Sequence, residues 1–197
     1  MSLHHEHLAD LERSGLTLET IQAAQIHTIS LDEINKKLGG LANGVLSALA
    51  FPYPGCDGYE RYKVWRGEGQ EGPKYLQPPG SPNHLYLVPG LDLAGEAPLI
   101  ITEGEKKCIA LWQAGHQAVG VGGVWNWLGA GDGCLPGSTK PIPDLDRVNW
   151  QRPVVIVFDS DGHGNPRVRL AAFRLARELS RRGATVNILF IPCEVGQ

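Results

Sequence analysis

The sequence predicts an α/β protein, a mostly parallel sheet flanked by helices and preceded by a small α+β N-terminal subdomain. Three observations carry this. From residue 98 onward, short apolar runs are followed at once by helical patterns, the rhythm of β-α-β units. The run Val154-Val155-Ile156-Val157-Phe158 is continuous and β-branched, as expected of a strand covered on both faces. Carboxylates stand directly behind two such runs, Glu103 after Leu99–Thr102 and Asp159 and Asp161 after Val154–Phe158. Unpaired buried charge is costly, so acidic residues at the tips of buried strands point to function rather than packing.

The chain has 197 residues, 42% hydrophobic and 20% charged, which is ordinary for a globular protein with a sizeable core. Its formal net charge of −3 excludes a general polyanion binder, so any nucleic-acid surface has to be a local patch. Cys56, Cys108, Cys134 and Cys193 are scattered without C-x-x-C spacing. That predicts reduced thiols and a cytoplasmic setting rather than a disulfide framework or a zinc knuckle. No apolar run approaches the length of a membrane span and no signal peptide opens the chain, so no membrane partner is expected.

Residues 1–43 read as a helical N-terminal region. Leu3, Leu8 and Leu11 have helical spacing up to Ser14-Gly15. Thr17 can cap a second helix, and Ser30 with Glu33 forms a capping box for a third that ends at Gly39-Gly40. A helix-turn-helix lacks its recognition helix here, so a packing subdomain is the expectation. His4, His5 and His7 read as solvated polar sequence rather than a metal site.

Residues 44–95 read as an α+β, largely antiparallel subdomain. Val45–Phe51 is a strand, Asp57-Gly58 a hairpin turn, Tyr59–Arg66 a half-exposed strand, and Lys74–Leu76 and Leu85–Val88 further extended pieces. Arg61, Lys63, Arg66 and Lys74 interleave with Tyr59, Tyr62, Trp65 and Tyr75. Such a surface suits stacked bases and bound phosphates, and an ordinary sheet with one wet face equally.

Residues 96–197 read as the α/β domain. A helix from Glu105 to Ala114 follows the first strand, and Ala118–Val121 is the next strand. Residues 125–150, rich in Gly and Pro, read as a lid or an edge. Asn165 and Pro166 open a helix with the apolar stripe Val168, Ala171, Ala172, Leu175, Ala176 and Leu179. Ala184–Ile191 closes the sheet. Along that helix Arg167, Arg174, Arg177 and Arg181 form a basic stripe that could track a nucleic-acid backbone, with a solvated face as the favoured reading.

Parallel strands place their carboxyl ends on one edge, where open α/β sheets bind ligands. Glu103, Asp159 and Asp161 fall on that edge and could surround a hard cation. A metal so held serves phosphoryl or nucleotidyl transfer. Gly120–Gly123 lacks the Lys-Ser/Thr ending of a phosphate loop. Lys106 and Lys107, beside the acids, are candidate phosphate contacts.

The run Ile-Ile-Thr-Glu103-Gly104-Glu-Lys-Lys, then Ala-Val-Gly-Val-Gly-Gly, then Val-Ile-Val-Phe-Asp159-Ser-Asp161 resembles a TOPRIM domain, over about residues 96–193. Phe51-Pro52-Tyr53, Asp57-Gly58, Arg66, Pro73–Leu76 and Leu85-Tyr86 follow the order seen before TOPRIM in bacterial-type DNA primases. The opening is similar to primase-like proteins of plasmids, phages and mobile elements. The resemblance implies a TOPRIM-like sheet and DNA primase activity, with primers made from nucleoside triphosphates on a single-stranded DNA template. It implies Glu103, Asp159 and Asp161 as catalytic residues and ligands of Mg²⁺ or Mn²⁺. Arg66 and Lys74 would face template and nucleotide. A replicative helicase, fused or separate, is the implied partner. The zinc ribbon of such primases and helicase motifs are absent, and the chain ends where the family usually continues, as a fragment of a larger replication protein would. A TOPRIM nuclease and a non-catalytic nucleic-acid-binding module are the competing readings.

Overall fold

A computed structural model describes residues 3–129, 140–158 and 165–191. The chain divides into two compact units, Met1–Ser81 and Pro82–Gln197.

The first unit carries helices α1 (His5–Glu12), α2 (Leu18–Ala23) and α3 (Leu31–Leu38) and a four-stranded antiparallel sheet. Its strands are β1 (His27–Ile29), β2 (Val45–Pro52), β3 (Glu60–Arg66) and β4 (Tyr75–Leu76), in the order β1-β2-β3-β4. The expected caps are present: Thr17 accepts from the Thr20 N–H, and Ser30 and Glu33 form the reciprocal capping box. Ile29, Ile34, Leu38, Ala48, Ala50, Tyr62, Val64 and Leu76 form the core between α3 and the sheet.

Three expectations for this unit are corrected. Residues 27–29, read as part of a helical region, are strand β1, which pairs with β2 through His27↔Ala50 and Ile29↔Ala48. β3, read as half-exposed, is buried from Glu60 to Val64. His7 is fully buried and not solvated. Its Nδ1 lies 2.7 Å from Thr28 Oγ1, its Nε2 3.1 Å from Ser47 Oγ, and its ring stacks on Trp65 at 4.2 Å. His4 and His5 are exposed as expected.

The second unit holds a five-stranded sheet flanked by two helices, the expected mostly parallel architecture. Its strands are β5 (Leu85–Leu87), β6 (Leu99–Glu103), β7 (Gln117–Val121), β8 (Pro153–Phe158) and β9 (Thr185–Phe190). Its helices are α4 (Glu105–Gln113) and α5 (Pro166–Arg181). The strand order is β5-β7-β6-β8-β9, with β5 antiparallel and the other four mutually parallel. The division after Ser81 puts Leu85–Leu87 in this sheet, although the sequence groups it with residues 44–95.

One face of the sheet (Leu99, Ile101, Val119, Val121, Val154, Ile156 and Phe158) packs on the stripe of α5: Val168, Ala171, Ala172, Leu175 and Leu179. Asn165 accepts from the Arg167 N–H and Pro166 opens the helix, as the sequence predicts. The segment read as a lid or an edge contributes described residues to this core. Trp127, Ile142, Leu145, Val148 and Trp150 are buried in it, and the Trp150 indole N–H donates to the Leu145 carbonyl at 2.6 Å. Its apolar residues are spaced irregularly among Gly and Pro, so they bury through tertiary contacts that periodicity does not reveal.

Arg152 ties the entry of β8 to the loop before β6, donating to the carbonyls of Asn149 (2.8 Å), Asp92 (3.1 Å) and Leu93 (3.2 Å).

Candidate functional site

β6 is the central strand, and Glu103 is its last residue. Leu99, Ile101 and Glu103 alternate onto the face that α5 covers, by the two-residue repeat of a strand. Leu99 and Ile101 are buried there; Glu103, at the carboxyl edge, is half-buried. It pairs in register with Val121 of β7.

Gly104 makes this arrangement. It has φ 83° and ψ 151°, a region essentially confined to glycine. The chain turns there from β6 into α4 within one residue. The Gly104 N–H donates to the Val121 carbonyl at 2.8 Å, which fastens the tip of β6 to the tip of β7. The Glu-Gly pair thus holds a carboxylate at the sheet edge beside the start of a helix, where N–H groups and the helix dipole favour anions.

The first turn of α4 carries the other charged residues. Glu105 is buried, Lys106 half-buried and Lys107 exposed. Behind them, Cys108 Sγ contacts the Tyr86 carbonyl at 3.8 Å. Burial, then Glu105, pushes the Cys108 thiol well above its ordinary range. Burial, then Cys108 and Glu105, raises the Tyr86 phenol. A thiol held protonated is no nucleophile and a poor metal ligand. The burial of Glu105 is the feature the sequence reading missed; its signal was an acidic residue directly behind a glycine that reverses the backbone.

Gly120 is placed for packing. A Cβ there would stand 3.1 Å from the Cβ atoms of both Cys108 and Tyr86 and 3.4 Å from the Gly104 carbonyl oxygen. Its lack of a side chain lets α4 settle on β7 next to the turn that carries Glu103.

β8 lies beside β6, with Ile101↔Ile156 and Thr102↔Val157 in register. It ends at Phe158, and Asp159 follows in the sequence. Asp159 and Asp161 themselves lie outside the described residues. Glu103, Lys106 and Lys107 are brought to one strand-helix junction.

Arg66 and Lys74 belong to the first unit. Arg66 donates to the carbonyls of Asn43 (2.8 Å) and Pro73 (3.4 Å), bracing the loops beside the end of β3, and Lys74 is exposed. Of the other basic residues interleaved with aromatics, Lys63 is buried against Asp10 at 2.5 Å, and Arg61 lies over the Tyr75 ring.

Residues 93–195 match the family described as a domain of unknown function, DUF3854, which takes in more than half of the chain. The chain belongs to that family. The DUF3854 span runs from the loop before β6 past the end of β9. It contains Glu103, Lys106, Lys107, Asp159 and Asp161, and it leaves out Arg66, Lys74 and β5. No curated protein matches the chain. Among the described residues, no helix of this DUF3854 protein is long and apolar enough to cross a membrane.

Proposed function

We propose that this DUF3854 protein is a TOPRIM-type, metal-dependent nucleotidyl transferase acting on DNA. On this reading it is a primase, or the catalytic core of a larger replication protein, that makes primers on single-stranded DNA from nucleoside triphosphates in the cytoplasm. A replicative helicase, fused or separate, is its natural partner. The observation that carries the reading is Glu103. It ends the central strand of a parallel sheet, directly before a glycine-only turn into a helix, and the adjacent strand β8 leads in sequence into Asp159-Ser160-Asp161.

The donor chemistry fits Mg²⁺ or Mn²⁺. The three acids offer hard oxygen ligands, and Glu103 stands at an open strand edge. Glu103, Asp159 and Asp161 would hold the ion, which when bound supplies charge stabilisation for phosphoryl chemistry. Glu103 takes up the proton of the attacking hydroxyl. Lys106 and Lys107, on the first turn of α4, hold the phosphates of the incoming nucleotide together with the helix N-terminus. Arg66 and Lys74 face template and nucleotide on this reading.

The test is primer synthesis on single-stranded DNA with Mg²⁺ and with Mn²⁺. The wild-type chain is expected to extend primers. Glu103→Gln and Asp159→Ala are expected to lose ~10²-fold or more of that activity. Metal-dependent plasmid nicking that disappears in Asp159→Ala, without primer synthesis, would turn the assignment to a nuclease. Inactivity of the wild-type chain in both assays would sink it.

A further inference from the structure

A groove opens on the second unit between α5 and the segment that follows β7. It is lined by Trp127, Pro141, Arg174, Arg177, Glu178 and Arg181 and has a volume of about 420 Å³. Three arginines face one glutamate, so the lining is cationic in a chain whose net charge is −3.

The charges are not equally committed. Glu178 is shared between Arg181 (3.1 Å) and Arg182 (2.7 Å), and Arg182 also reaches Asp146 at 2.5 Å. Burial would raise the Glu178 carboxyl, but hydrogen bonds from Arg181 and Arg182 hold it below its usual range, so it stays ionised and spent. Arg174 lies over the Trp125 ring at 5.6 Å, a contact that holds a guanidinium while sparing its N–H donors for an oxyanion. Arg177 has no ion pair among the described residues. Trp127, 4% exposed, forms a rigid wall whose indole N–H has no acceptor among the described residues.

Arg174, Arg177 and Arg181 follow one another at three- and four-residue steps, the spacing of a single helix face. They form a row about 10 Å long at 1.5 Å per residue, which matches an extended ligand better than a single anion. Trp127 packs in the same core as Val121, the register partner of Glu103. Groove and candidate catalytic carboxylate thus belong to the same face of the sheet.

We infer that this groove binds the phosphodiester backbone of single-stranded nucleic acid, with Arg174 and Arg177 as its principal phosphate contacts. The choice of nucleic acid over another polyanion rests on the DNA-directed reading above; the cationic groove itself does not depend on it.

The experiment is fluorescence anisotropy of a labelled oligothymidylate with the full chain, in EDTA and without nucleotides, over a salt series. The double variant Arg174→Ala/Arg177→Ala is expected to bind roughly tenfold or more weakly. Its dependence of log affinity on log salt is expected to flatten by about 1.4, two contacts at about 0.7 each. Arg177→Glu should weaken binding further, while Arg169→Ala, outside the groove and over Phe190, should match the wild type. The assay omits metal and nucleotides, so its outcome is read separately from primer synthesis. Thermal melting confirms that the exposed substitutions leave the fold intact. Unchanged affinity and slope in the double variant overturn the inference. So does a wild-type chain that fails to bind the oligonucleotide, whatever the primer assay gives.

Discussion

Gly104 and Val121 are joined by a 2.8 Å hydrogen bond that closes the carboxyl ends of two parallel strands, and Glu103 stands immediately before it. The bond fastens the peptide between Glu103 and Gly104 to β7, and Gly104, at φ 83°, turns the chain into α4 directly behind it.

Gly104→Ala should therefore be costly although nothing lies within 4 Å of the added Cβ. The cost is in the backbone, about 1–3 kcal/mol for an alanine held in that region. Urea denaturation should show this loss. Mn²⁺ titration should show weaker binding than in the wild type, since relaxing the turn moves the Glu103 carboxylate. A variant as stable as wild type would mean that the turn adapts freely.

Gly120 and Gly123 lie in one glycine-rich run but should differ in their response to substitution. Gly120→Ala drives a methyl to 3.1 Å from two Cβ atoms, Cys108 and Tyr86, neither of which can swing aside. Overpacking of this kind costs about 1–3 kcal/mol. At Gly123 the nearest atoms belong to the Asn126 side chain at 3.5 Å, an ordinary contact. Gly123→Ala should stay within about 0.5 kcal/mol of wild type, as substitutions away from strained or packed sites do. Equal denaturation midpoints for the two variants would refute the distinction.

Asp10 neutralises Lys63, whose side chain is 5% exposed, with Arg13 contributing a second contact to Asp10 at 3.5 Å. Asp10→Ala leaves a buried ammonium without that carboxylate and should destabilise the chain by about 3–5 kcal/mol. Adding Lys63→Met should recover much of the loss, because the apolar stem already packs there. The comparison to make is the denaturation free energy of the single and double variants at one pH.

His7 should make stability fall in mild acid. Burial, with His4 second, lowers its pKa below 6.5. Above pH 6.5 the ring is neutral folded and unfolded, and it imposes no penalty. As pH falls below 6.5 the unfolded chain takes up the proton first, so stability drops until the lowered folded pKa is passed. His7→Phe should flatten that part of the stability–pH curve. A curve identical to the wild type between pH 7 and pH 5 would assign the acid sensitivity elsewhere.

Where local chemistry decides the structure, the sequence was a sufficient guide. The Ser30–Glu33 box and the Asn165-Pro166 helix start depend on neighbours a few positions away, and each forms as read. The β-branched run of β8 forms its strand, but only Val154, Ile156 and Phe158 are buried, with Val155 and Val157 half-buried on the other face. Glu103 was legible for the same reason: strand, carboxylate, glycine and helix follow without interruption.

What escaped depends on partners distant in the chain. His7 is buried by Thr28, Ser47 and Trp65. β1 has three residues and no apolar run of its own, and exists through its pairing with β2. Trp127, Leu145 and Trp150 enter the core from a segment without periodicity. Asp159 and Asp161, the remainder of the acidic set, lie outside the described residues.

The placing of β6 between β7 and β8 also bears on how the chain comes off the ribosome. β7 follows β6 closely and can pair as soon as it emerges, whereas the Leu99↔Val154 register waits for a much later segment. Chains elongate at about 5–20 residues per second, so one side of β6 stays uncovered for seconds in each round of synthesis. During that interval its apolar residues are open to a chaperone or to another nascent chain. A truncation ending before residue 153 should therefore aggregate, while one that includes β8 and α5 should remain in solution.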